Sequence, residues 1–251
     1  MKPPRVILLA AGQGSRLGEL TRERPKCLMP IHGEALLMRL VRQLWERGFE
    51  EIIVVVGHMR ERIVTEFATS GYPVKFVHNP LFATDTNIKS LLLGLESRDD
   101  PALVIEADVV FEDGAMDAMA EVATEHRSLW FTRGEFQSWQ MGGILRAGPD
   151  QQVQEILYVP SYESRFADYK KLLGVLLVGP GEMPRYHQLL RDAAARSMAP
   201  YFMMPWIQNL AGLPCRECDL SRWRTASFNT PDEYNRCLEL FAPDEQNVYG
   251  C

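Results

Sequence analysis

The sequence predicts an α/β fold in which a mostly parallel sheet is flanked by helices. Three short runs, at 6–11, 52–56 and 102–106, consist almost wholly of apolar, often β-branched residues and are typical of buried strands. Strands that are apolar on both faces occur in parallel sheets covered by helices on each side. Segments with helical spacing of apolar residues separate these runs. The alternation therefore indicates a Rossmann-like sheet with a small antiparallel extension.

The first part of the chain follows this alternation regularly. The first strand ends at a glycine turn, and the helix that begins near residue 36 is followed by Gly48, a residue typical of the position after a helix C-terminus. The predicted elements up to residue 106 are a strand at 6–10, a helix at 36–45, a strand at 52–56, a helix at 61–69, a strand at 74–77, a helix at 87–95 and a strand at 102–106.

The pattern changes after residue 113. Two predicted strands are joined by the turn-rich segment Ala147-Gly148-Pro149-Asp150, and we expect them to pair as an antiparallel lid or extension. The predicted elements of this part are a helix at 116–125, strands at 129–132, 142–146, 153–159 and 172–178, and helices at 183–197, 202–210 and 231–240. No long linker interrupts them, and we predict a single domain over 1–251.

Composition excludes several classes of protein. The 251 residues carry a formal net charge of −6 and 46% are hydrophobic, which suits one globular domain and argues against general nucleic-acid binding. No apolar run approaches the roughly 18 residues that a membrane span requires, and no signal-peptide core follows the first residues. We therefore expect a cytoplasmic protein without a membrane contact. An odd number of cysteines argues against a disulfide framework: Cys27, Cys215, Cys218, Cys237 and Cys251.

The most informative motif follows the first predicted strand. Gly12 and Gly14 allow the backbone to approach a phosphate chain closely, and the N–H groups of such a turn point at anions. Arg16 and Lys26 would add two positive charges at the same anionic centre. The dinucleotide-binding fingerprint needs a glycine where Leu17 stands, and no Gly-Lys-Ser/Thr follows. The two commoner phosphate-binding loops are therefore disfavoured.

These residues resemble the signature of a known family. A strand followed by Gly12-x-Gly14-x-Arg16 and then by Pro25-Lys26 is similar to the nucleotidyltransferases, or pyrophosphorylases, that activate sugar phosphates and related small phosphate esters. The run 104–108, which ends in Asp108, is similar to the strand with which the family presents an aspartate to magnesium. The segment around Asn229 is similar to the one that carries a second metal ligand. The resemblance covers nearly the whole chain and implies Mg²⁺ held by Asp108 and Asn229.

Within this family, the middle of the chain looks most like the bacterial choline-phosphate cytidylyltransferases and their phosphonate-activating relatives. The segment 82–91 supports this, as does Glu106-Ala107-Asp108 where sugar enzymes usually carry Gly-Asp. The resemblance implies transfer of CMP from CTP to a small phosphate- or phosphonate-bearing acceptor, such as phosphocholine or an aminoalkylphosphonate, with release of pyrophosphate. It also implies a nucleotide-binding half at about 1–112 and an acceptor-binding half at 113–251, and it allows a homodimer.

Roles for individual residues follow from the resemblance and from the chemistry together. The acceptor phosphate is already anionic at neutral pH, so the reaction needs charge neutralisation rather than a strong base. Arg16 and Lys26 are therefore predicted to be catalytic, through contacts with the triphosphate. Trp139 and Lys171 are predicted to bind the acceptor. The predicted nucleotide-binding residues are Leu9, Ala10, Ala11, Gly12, Gly14, Ser15, Thr86, Asn87, Ser90 and Ala107.

Several alternatives stay open at this point. Asn229 either coordinates magnesium or caps the helix that begins at Thr230-Pro231. Lys171 and its neighbour Lys170 either face the acceptor or form a solvated pair. Zinc is disfavoured because the Cys215-x-x-Cys218 pair has no second pair of ligands at a suitable spacing. Further aromatic residues either line the acceptor pocket or belong to the core: Tyr158, Tyr201, Phe202 and Trp206.

Three rival functions are also considered. The nearest is a sugar-1-phosphate nucleotidyltransferase that uses UTP, GTP or dTTP. A second is a catalytically silent nucleotide-binding regulatory subunit, suggested by Asn229 where the family usually has an acid. A third, a nicotinamide-dependent oxidoreductase, is disfavoured by Leu17 in the glycine turn.

Overall fold

The architecture is that of a computed structural model, which describes residues 2–243. The strands are β1 Arg5–Ala10, β2 Pro30–Ile31, β3 Glu34–Ala35, β4 Ile52–Val56, β5 Val74–His78, β6 Ala102–Glu106, β7 Val109–Phe111, β8 Leu129–Glu135, β9 Gly142–Ala147, β10 Val153–Val159, β11 Lys170–Val178, β12 Arg216–Asp219 and β13 Thr225–Ser227. The α-helices are α1 Leu36–Glu46, α2 Arg60–Phe67, α3 Ile88–Leu95, α4 Asp113–Val122, α5 Met183–Arg196, α6 Met204–Ile207 and α7 Pro231–Leu240. Segments of 3₁₀ helix cover Ser15–Thr21, Lys26–Leu28, Ser164–Phe166 and Leu210–Gly212.

A mixed sheet of nine strands organises the described part of the chain. Its main order is β10-β9-β11-β6-β1-β4-β5, and β8 pairs with both β11 and β12. The strands β6, β1, β4 and β5 run parallel, whereas β11 is antiparallel to β6, β8 and β9. The predicted Rossmann-like sheet, mostly parallel at its centre and flanked by helices, is confirmed.

Helices cover both faces of this sheet. Along β1, Val6 and Leu8 belong to one apolar core, and Ile7 and Leu9 belong to another. The first core also contains residues of α1, α2 and α4, whereas the second contains residues of α3, α5 and α6. Successive side chains of a strand point to opposite faces, so a strand buried on both sides must be apolar throughout. This is why the runs at β1 and β4 are recognisable from sequence.

The predicted hairpin is present and extends the sheet rather than standing apart from it. Strands β9 and β10 pair antiparallel, with Val159 opposite Gly142, and β9 also pairs with the start of β11. The main differences lie elsewhere. The helix expected at 202–210 is a single turn, Met204–Ile207, after which the Asn209 side chain donates to the Pro205 carbonyl oxygen at 2.8 Å. The sequence analysis did not predict the short strands β2, β3, β7, β12 and β13.

The cysteines form no framework in the part of the chain that the structure describes. Cys27, Cys215, Cys218 and Cys237 are free thiols, and Cys251 lies outside the described residues. Cys215 packs in one core and Cys218 against the other, so these two do not face a common ion. Among residues 2–243, no group of three or more His, Cys, Asp or Glu side chains is arranged to hold a metal, and no helix has the length and apolar character to cross a membrane.

Candidate active site

The glycine turn lies where β1 leaves the sheet. Gly14 has a φ of 67°, in the left-handed region that glycine adopts without strain, and a Cβ atom there would lie 3.0 Å from the Cβ atom of Lys26. Within the described chain, the backbone N–H groups of Gly12, Gln13 and Gly14 have no backbone acceptor. They therefore remain available to an anionic ligand, as the motif predicts.

Lys26 reaches across from the turn to two other parts of the chain. Pro25 is extended, and the short 3₁₀ segment after it directs Lys26 toward the end of β6. The ammonium Nζ forms an ion pair with the Asp108 carboxylate and donates to the Asn229 side-chain oxygen at 2.9 Å. Arg16 donates to the same Asn229 oxygen at 2.7 Å. Four predicted residues, far apart in sequence, thus meet at one point.

The local structure also decides how Asn229 is used. The N-cap of α7 is Thr230, whose hydroxyl accepts from the Glu233 backbone N–H, while the Glu233 carboxylate accepts from the backbone N–H groups of Thr230 and Asn229. This reciprocal capping box satisfies the start of the helix without the Asn229 side chain. The alternative in which Asn229 merely caps the helix is therefore wrong, and its amide oxygen faces the two cations.

The same pair of oxygens suits a hard metal ion. The Asp108 carboxylate and the Asn229 amide oxygen converge on one cation, the Lys26 ammonium. Oxygen ligands of this kind are the ones that Mg²⁺ prefers, and Mg²⁺ commonly keeps water and phosphate oxygens as its other ligands. A site with two protein oxygens, rather than a complete cage, fits an ion that is bound together with a phosphate substrate.

A buried carboxyl group lies beside this centre. Glu106, the last residue of β6, accepts from the Asn87 side-chain amide at 2.9 Å. Burial and the neighbouring Asp108 raise the pKa of Glu106 to about 7. Gly174 of β11 makes room for it, because a Cβ atom at Gly174 would contact the Glu106 carboxylate oxygen, and Gly174 has a φ of 78°. No role was predicted for Glu106 from the sequence.

Three polar residues among the predicted nucleotide-binding residues, Thr86, Asn87 and Ser90, line the cavity and also hydrogen-bond within the protein. Thr86 donates from its hydroxyl to the Ala199 carbonyl oxygen at 2.6 Å. The Asn87 side-chain oxygen accepts from the Phe202 backbone N–H at 2.8 Å. Ser90 donates to the Asp85 carboxylate at 2.8 Å. The bonds of Thr86 and Asn87 hold the start of α3 against the segment that precedes α6, whereas the bond of Ser90 is local to the start of α3.

The lysine pair divides between two environments. Lys170 forms ion pairs with Glu217 and Asp219, both at 2.9 Å. None of these three residues lines the cavity. Lys171 lines the cavity and donates to the Gly143 carbonyl oxygen at 3.1 Å. Burial, together with the nearby Arg133, lowers the pKa of Lys171 to about 8. The solvated-pair alternative therefore does not describe either lysine.

The aromatic candidates separate in the same way. Trp139 borders the cavity with 71% of its surface exposed, and Tyr158 and Tyr201 stack on each other there at a centroid distance of 5.0 Å. Phe202 and Trp206 are fully buried and pack around Trp130, so both belong to the core.

The candidate site is one cavity of about 1070 Å³. It opens at the carboxyl edge of β1 and β6, where ligands bind in sheets of this kind. Every predicted site residue lines it: Leu9, Ala10, Ala11, Gly12, Gly14, Ser15, Arg16, Lys26, Thr86, Asn87, Ser90, Ala107, Asp108, Trp139, Lys171 and Asn229. Other charged residues also line the cavity and were not predicted from the sequence, chiefly Glu106, Arg133 and Glu233.

Comparison with known proteins agrees with this geometry. A family model described as a MobA-like NTP transferase domain matches residues 6–198, most of the chain. The chain belongs to the MobA-like NTP transferase family. The matched range contains the glycine turn, Lys26 and Asp108, whereas Asn229 lies beyond it.

Two curated relatives are similar over part of this MobA-like domain. CMP-5'-(3-aminopropyl)phosphonate synthase of Streptomyces rubellomurinus is 40% identical over 121 residues, which are 47% of this chain and 19% of that protein. Choline-phosphate cytidylyltransferase of Streptococcus pneumoniae is 34% identical over 104 residues, 41% of this chain and 44% of that protein. The matches therefore span less than half the length of either relative.

The solved structures support the fold over nearly the full length. The CTP:phosphocholine cytidylyltransferase of Streptococcus pneumoniae superimposes with a TM-score of 0.79 at 22% identity and covers 95% of this chain and 99% of that one. A UDP-glucose pyrophosphorylase is also among the structural neighbours. At these identities the likeness establishes the fold alone, and the choice of nucleotide and acceptor must come from the site.

Proposed function

We propose that this protein transfers CMP from CTP to a small acceptor that carries a phosphate or phosphonate group, with Mg²⁺ bound and pyrophosphate released. Phosphocholine and the aminoalkylphosphonates are the leading acceptors, in keeping with the names of the two similar proteins, a CMP-5'-(3-aminopropyl)phosphonate synthase and a choline-phosphate cytidylyltransferase. A cytoplasmic location and a homodimer stay predictions, as does the division into a nucleotide half and an acceptor half.

The observation that carries the proposal is the meeting of Arg16, Lys26, Asp108 and Asn229 beside the glycine turn. Two cations and a row of unpaired backbone N–H groups suit a triphosphate. Two oxygen ligands next to them suit a magnesium ion that neutralises charge on the phosphates. The Asn229 oxygen accepts from both cations and Asp108 pairs with Lys26, so the candidate phosphate contacts and the candidate metal ligands lie next to each other.

The chemistry needs alignment and charge more than it needs a base. An acceptor oxygen would form a bond to the α-phosphorus while the bond to the α,β-bridging oxygen breaks and pyrophosphate leaves with the electron pair. The acceptor oxygen is already ionised at neutral pH, so no side chain must remove a proton. Arg16 and Lys26 would stabilise the negative charge that builds up on the phosphate oxygens.

The acceptor would enter from the other side of the cavity. Trp139 and Tyr158 are exposed there, and Tyr158 stacks on the half-buried Tyr201; aromatic faces of this kind attract a cationic ammonium group. A hexose has no such charge. This aromatic lining favours an aminoalkyl or choline acceptor over the sugar 1-phosphate of the nearest rival function.

A panel assay tests the proposal. Pyrophosphate release is measured with CTP, UTP, GTP or dTTP against phosphocholine, 2-aminoethylphosphonate and glucose 1-phosphate. We expect turnover with CTP and at least one of the first two acceptors. Turnover only with glucose 1-phosphate would refute the choice of substrates. Tight binding of CTP and Mg²⁺ with no pyrophosphate from any acceptor would instead support the silent regulatory subunit.

A further inference from the structure

A short irregular segment forms part of one wall of the cavity. Residues 197–203, the wall segment, connect α5 to α6. Tyr201 and Met203 of this segment line the cavity. Tyr201 stacks on Tyr158 of β10, and a Cβ atom at Gly143 of β9 would lie 3.2 Å from the Met203 sulfur. The wall segment therefore packs against the β9–β10 hairpin on the side of the cavity where the proposed acceptor would enter.

Hydrogen bonds from the start of α3 hold the wall segment in place. The Thr86 backbone N–H donates to the Met198 carbonyl oxygen at 3.0 Å, and the Thr86 hydroxyl donates to the Ala199 carbonyl oxygen at 2.6 Å. The Phe202 backbone N–H donates to the Asn87 side-chain oxygen at 2.8 Å. Since the wall segment lies between two helices and belongs to neither, bonds of this kind supply the partners that its backbone needs.

Asn87 joins the wall segment to the central sheet. Its side-chain oxygen accepts from Phe202, and its side-chain nitrogen donates to the Glu106 carboxylate at 2.9 Å. Glu106 is the last residue of β6 and lies two positions before the candidate metal ligand Asp108. A Cβ atom at Gly174 of β11 would contact the same carboxylate, so Glu106 is itself held between Asn87 and β11. One amide thus links the wall segment to the strand that precedes the metal ligand.

The same bonds bear on whether Asn87 contacts the nucleotide. Its side-chain oxygen and nitrogen both have protein partners, and only 7% of its surface is exposed. A buried polar group that loses its partner is destabilising, so a ligand that took either atom would have to replace a bond already made. This arrangement favours a role in holding the cavity together over direct contact with the base or the ribose.

We infer that Asn87 is a positioning residue, which fixes the wall segment relative to the candidate metal ligand and thereby sets where the acceptor lies. The inference rests on the proposed function and adds to it a residue that acts through Tyr201. The acceptor would lie between this aromatic wall and the α-phosphorus, so a displaced Tyr201 would move the attacking oxygen out of line. Misplacement of a reacting group by about 1 Å is enough to lower a rate by about 10²-fold.

Hydrogen–deuterium exchange measured by mass spectrometry tests the link without any need for turnover. In Asn87→Ala we expect peptides that cover 197–203 to exchange about tenfold faster, the effect of losing one buried hydrogen bond. Peptides that cover β1 and β4 should exchange at the wild-type rate. Thr86→Val removes only the hydroxyl bond to Ala199 and nearly conserves volume. It should give the same local pattern, and it replaces the first variant if Asn87→Ala does not fold.

The effect on the reaction is measured as two separate kinetic constants. Pyrophosphate release is followed with varied acceptor at saturating CTP, and with varied CTP at saturating acceptor. In Asn87→Ala, kcat/KM for the acceptor should fall by about tenfold or more, whereas the KM for CTP should stay within about twofold. A residue that contacted the nucleotide would instead raise the KM for CTP.

Asn209→Ala is the matched control. The Asn209 side chain also bonds to a backbone carbonyl oxygen, that of Pro205, but it does so at the end of α6 and outside the cavity lining. This variant should leave exchange at 197–203 and both kinetic constants unchanged, because its bond does not tie the wall segment to the sheet.

Three results would overturn the inference. The first is unchanged exchange at 197–203 in Asn87→Ala, and the second is a raised KM for CTP with kcat/KM for the acceptor retained. The third is faster exchange in all peptides alike in both variants, which would show a general loss of stability. If the wild type turns over no acceptor, the proposed function fails separately, and the exchange pattern still decides whether Asn87 holds the wall segment.

Discussion

Replacing Lys26 by methionine removes one ammonium group and keeps most of the side-chain volume. In the structure this group contacts the Asp108 carboxylate and the Asn229 side-chain oxygen, and its Nζ atom lies 5.6 Å from the centroid of the Phe228 ring. In the reaction it would contact the triphosphate. Loss of one such preorganised charge contact typically lowers turnover by on the order of 10² to 10³, which corresponds to about 3 to 4 kcal/mol of activation free energy.

The same change should affect folding much less. The Lys26 and Asp108 side chains are 13% and 23% exposed, so water can replace part of the lost contact at Asp108. We expect a loss of about 1 to 2 kcal/mol in the free energy of unfolding, below the value for a fully buried pair. For a chain of this size that corresponds to a decrease in Tm of about 2 to 8 °C. The variant should be folded and nearly inactive at 25 °C.

Pyrophosphate release at saturating CTP and acceptor measures the turnover, and circular dichroism measures Tm. Lys75→Met is the matched control, because Lys75 pairs with Glu96 on the surface and does not line the cavity. Turnover of Lys26→Met within threefold of the wild type, with normal folding, would refute the assignment of Lys26 to the phosphates. A variant that is inactive only because it is unfolded would be recognised from its Tm.

Three further predictions concern the metal, the fold and pH. Asp108→Asn should abolish Mg²⁺-dependent turnover while far-ultraviolet circular dichroism stays unchanged; wild-type turnover would remove Asp108 from the metal site. Gly174→Ala should lower Tm by more than Gly71→Ala, because both glycines have a positive φ but only the Cβ atom at Gly174 meets a carboxylate, that of Glu106; equal changes in Tm would contradict this. Lys171 loses its charge as pH rises through its lowered pKa of about 8, so affinity for 2-aminoethylphosphonate should fall between pH 7 and 9, and calorimetry that finds no decrease would contradict it.

Secondary structure was easiest to predict from the sequence where burial of a strand on both faces requires an unbroken run of apolar residues. Strands β1 and β4 are buried on both faces, and their unbroken apolar runs reveal them. The four-residue strand β12, Arg216–Asp219, is mostly polar and pairs with β8 at the edge, so neither composition nor alternation marks it. Its position depends on backbone pairing with the segment 129–132, which is 87 residues earlier and which local pattern does not encode.

In the candidate site, too, a local sequence pattern reveals some residues and not others. Asp108 was found because the run 104–108 resembles the strand with which the family presents an aspartate to magnesium, and the glycine turn supplied the family signature. Arg133 was not part of that resemblance, although a polar residue that follows the apolar start of β8, Leu-Trp-Phe-Thr-Arg, is a signal that the sequence contains. The sequence around Asn229 could not show whether its side chain is a metal ligand, because asparagine is equally well suited to cap a helix. Only the capping box of Thr230 and Glu233 decides between the two roles.

Arg16 and Asn229, which share a hydrogen bond, are separated by 213 positions along the chain. During synthesis, a ribosome-bound chain that has produced the whole parallel sheet still lacks this partner for its phosphate loop. The loop is completed only after α7 has been made and has docked through its capping box. If the proposed function holds, the group of Arg16, Lys26, Asp108 and Asn229 is therefore complete only once α7 has been translated, and a product that stops earlier would lack the Asn229 contact of Arg16.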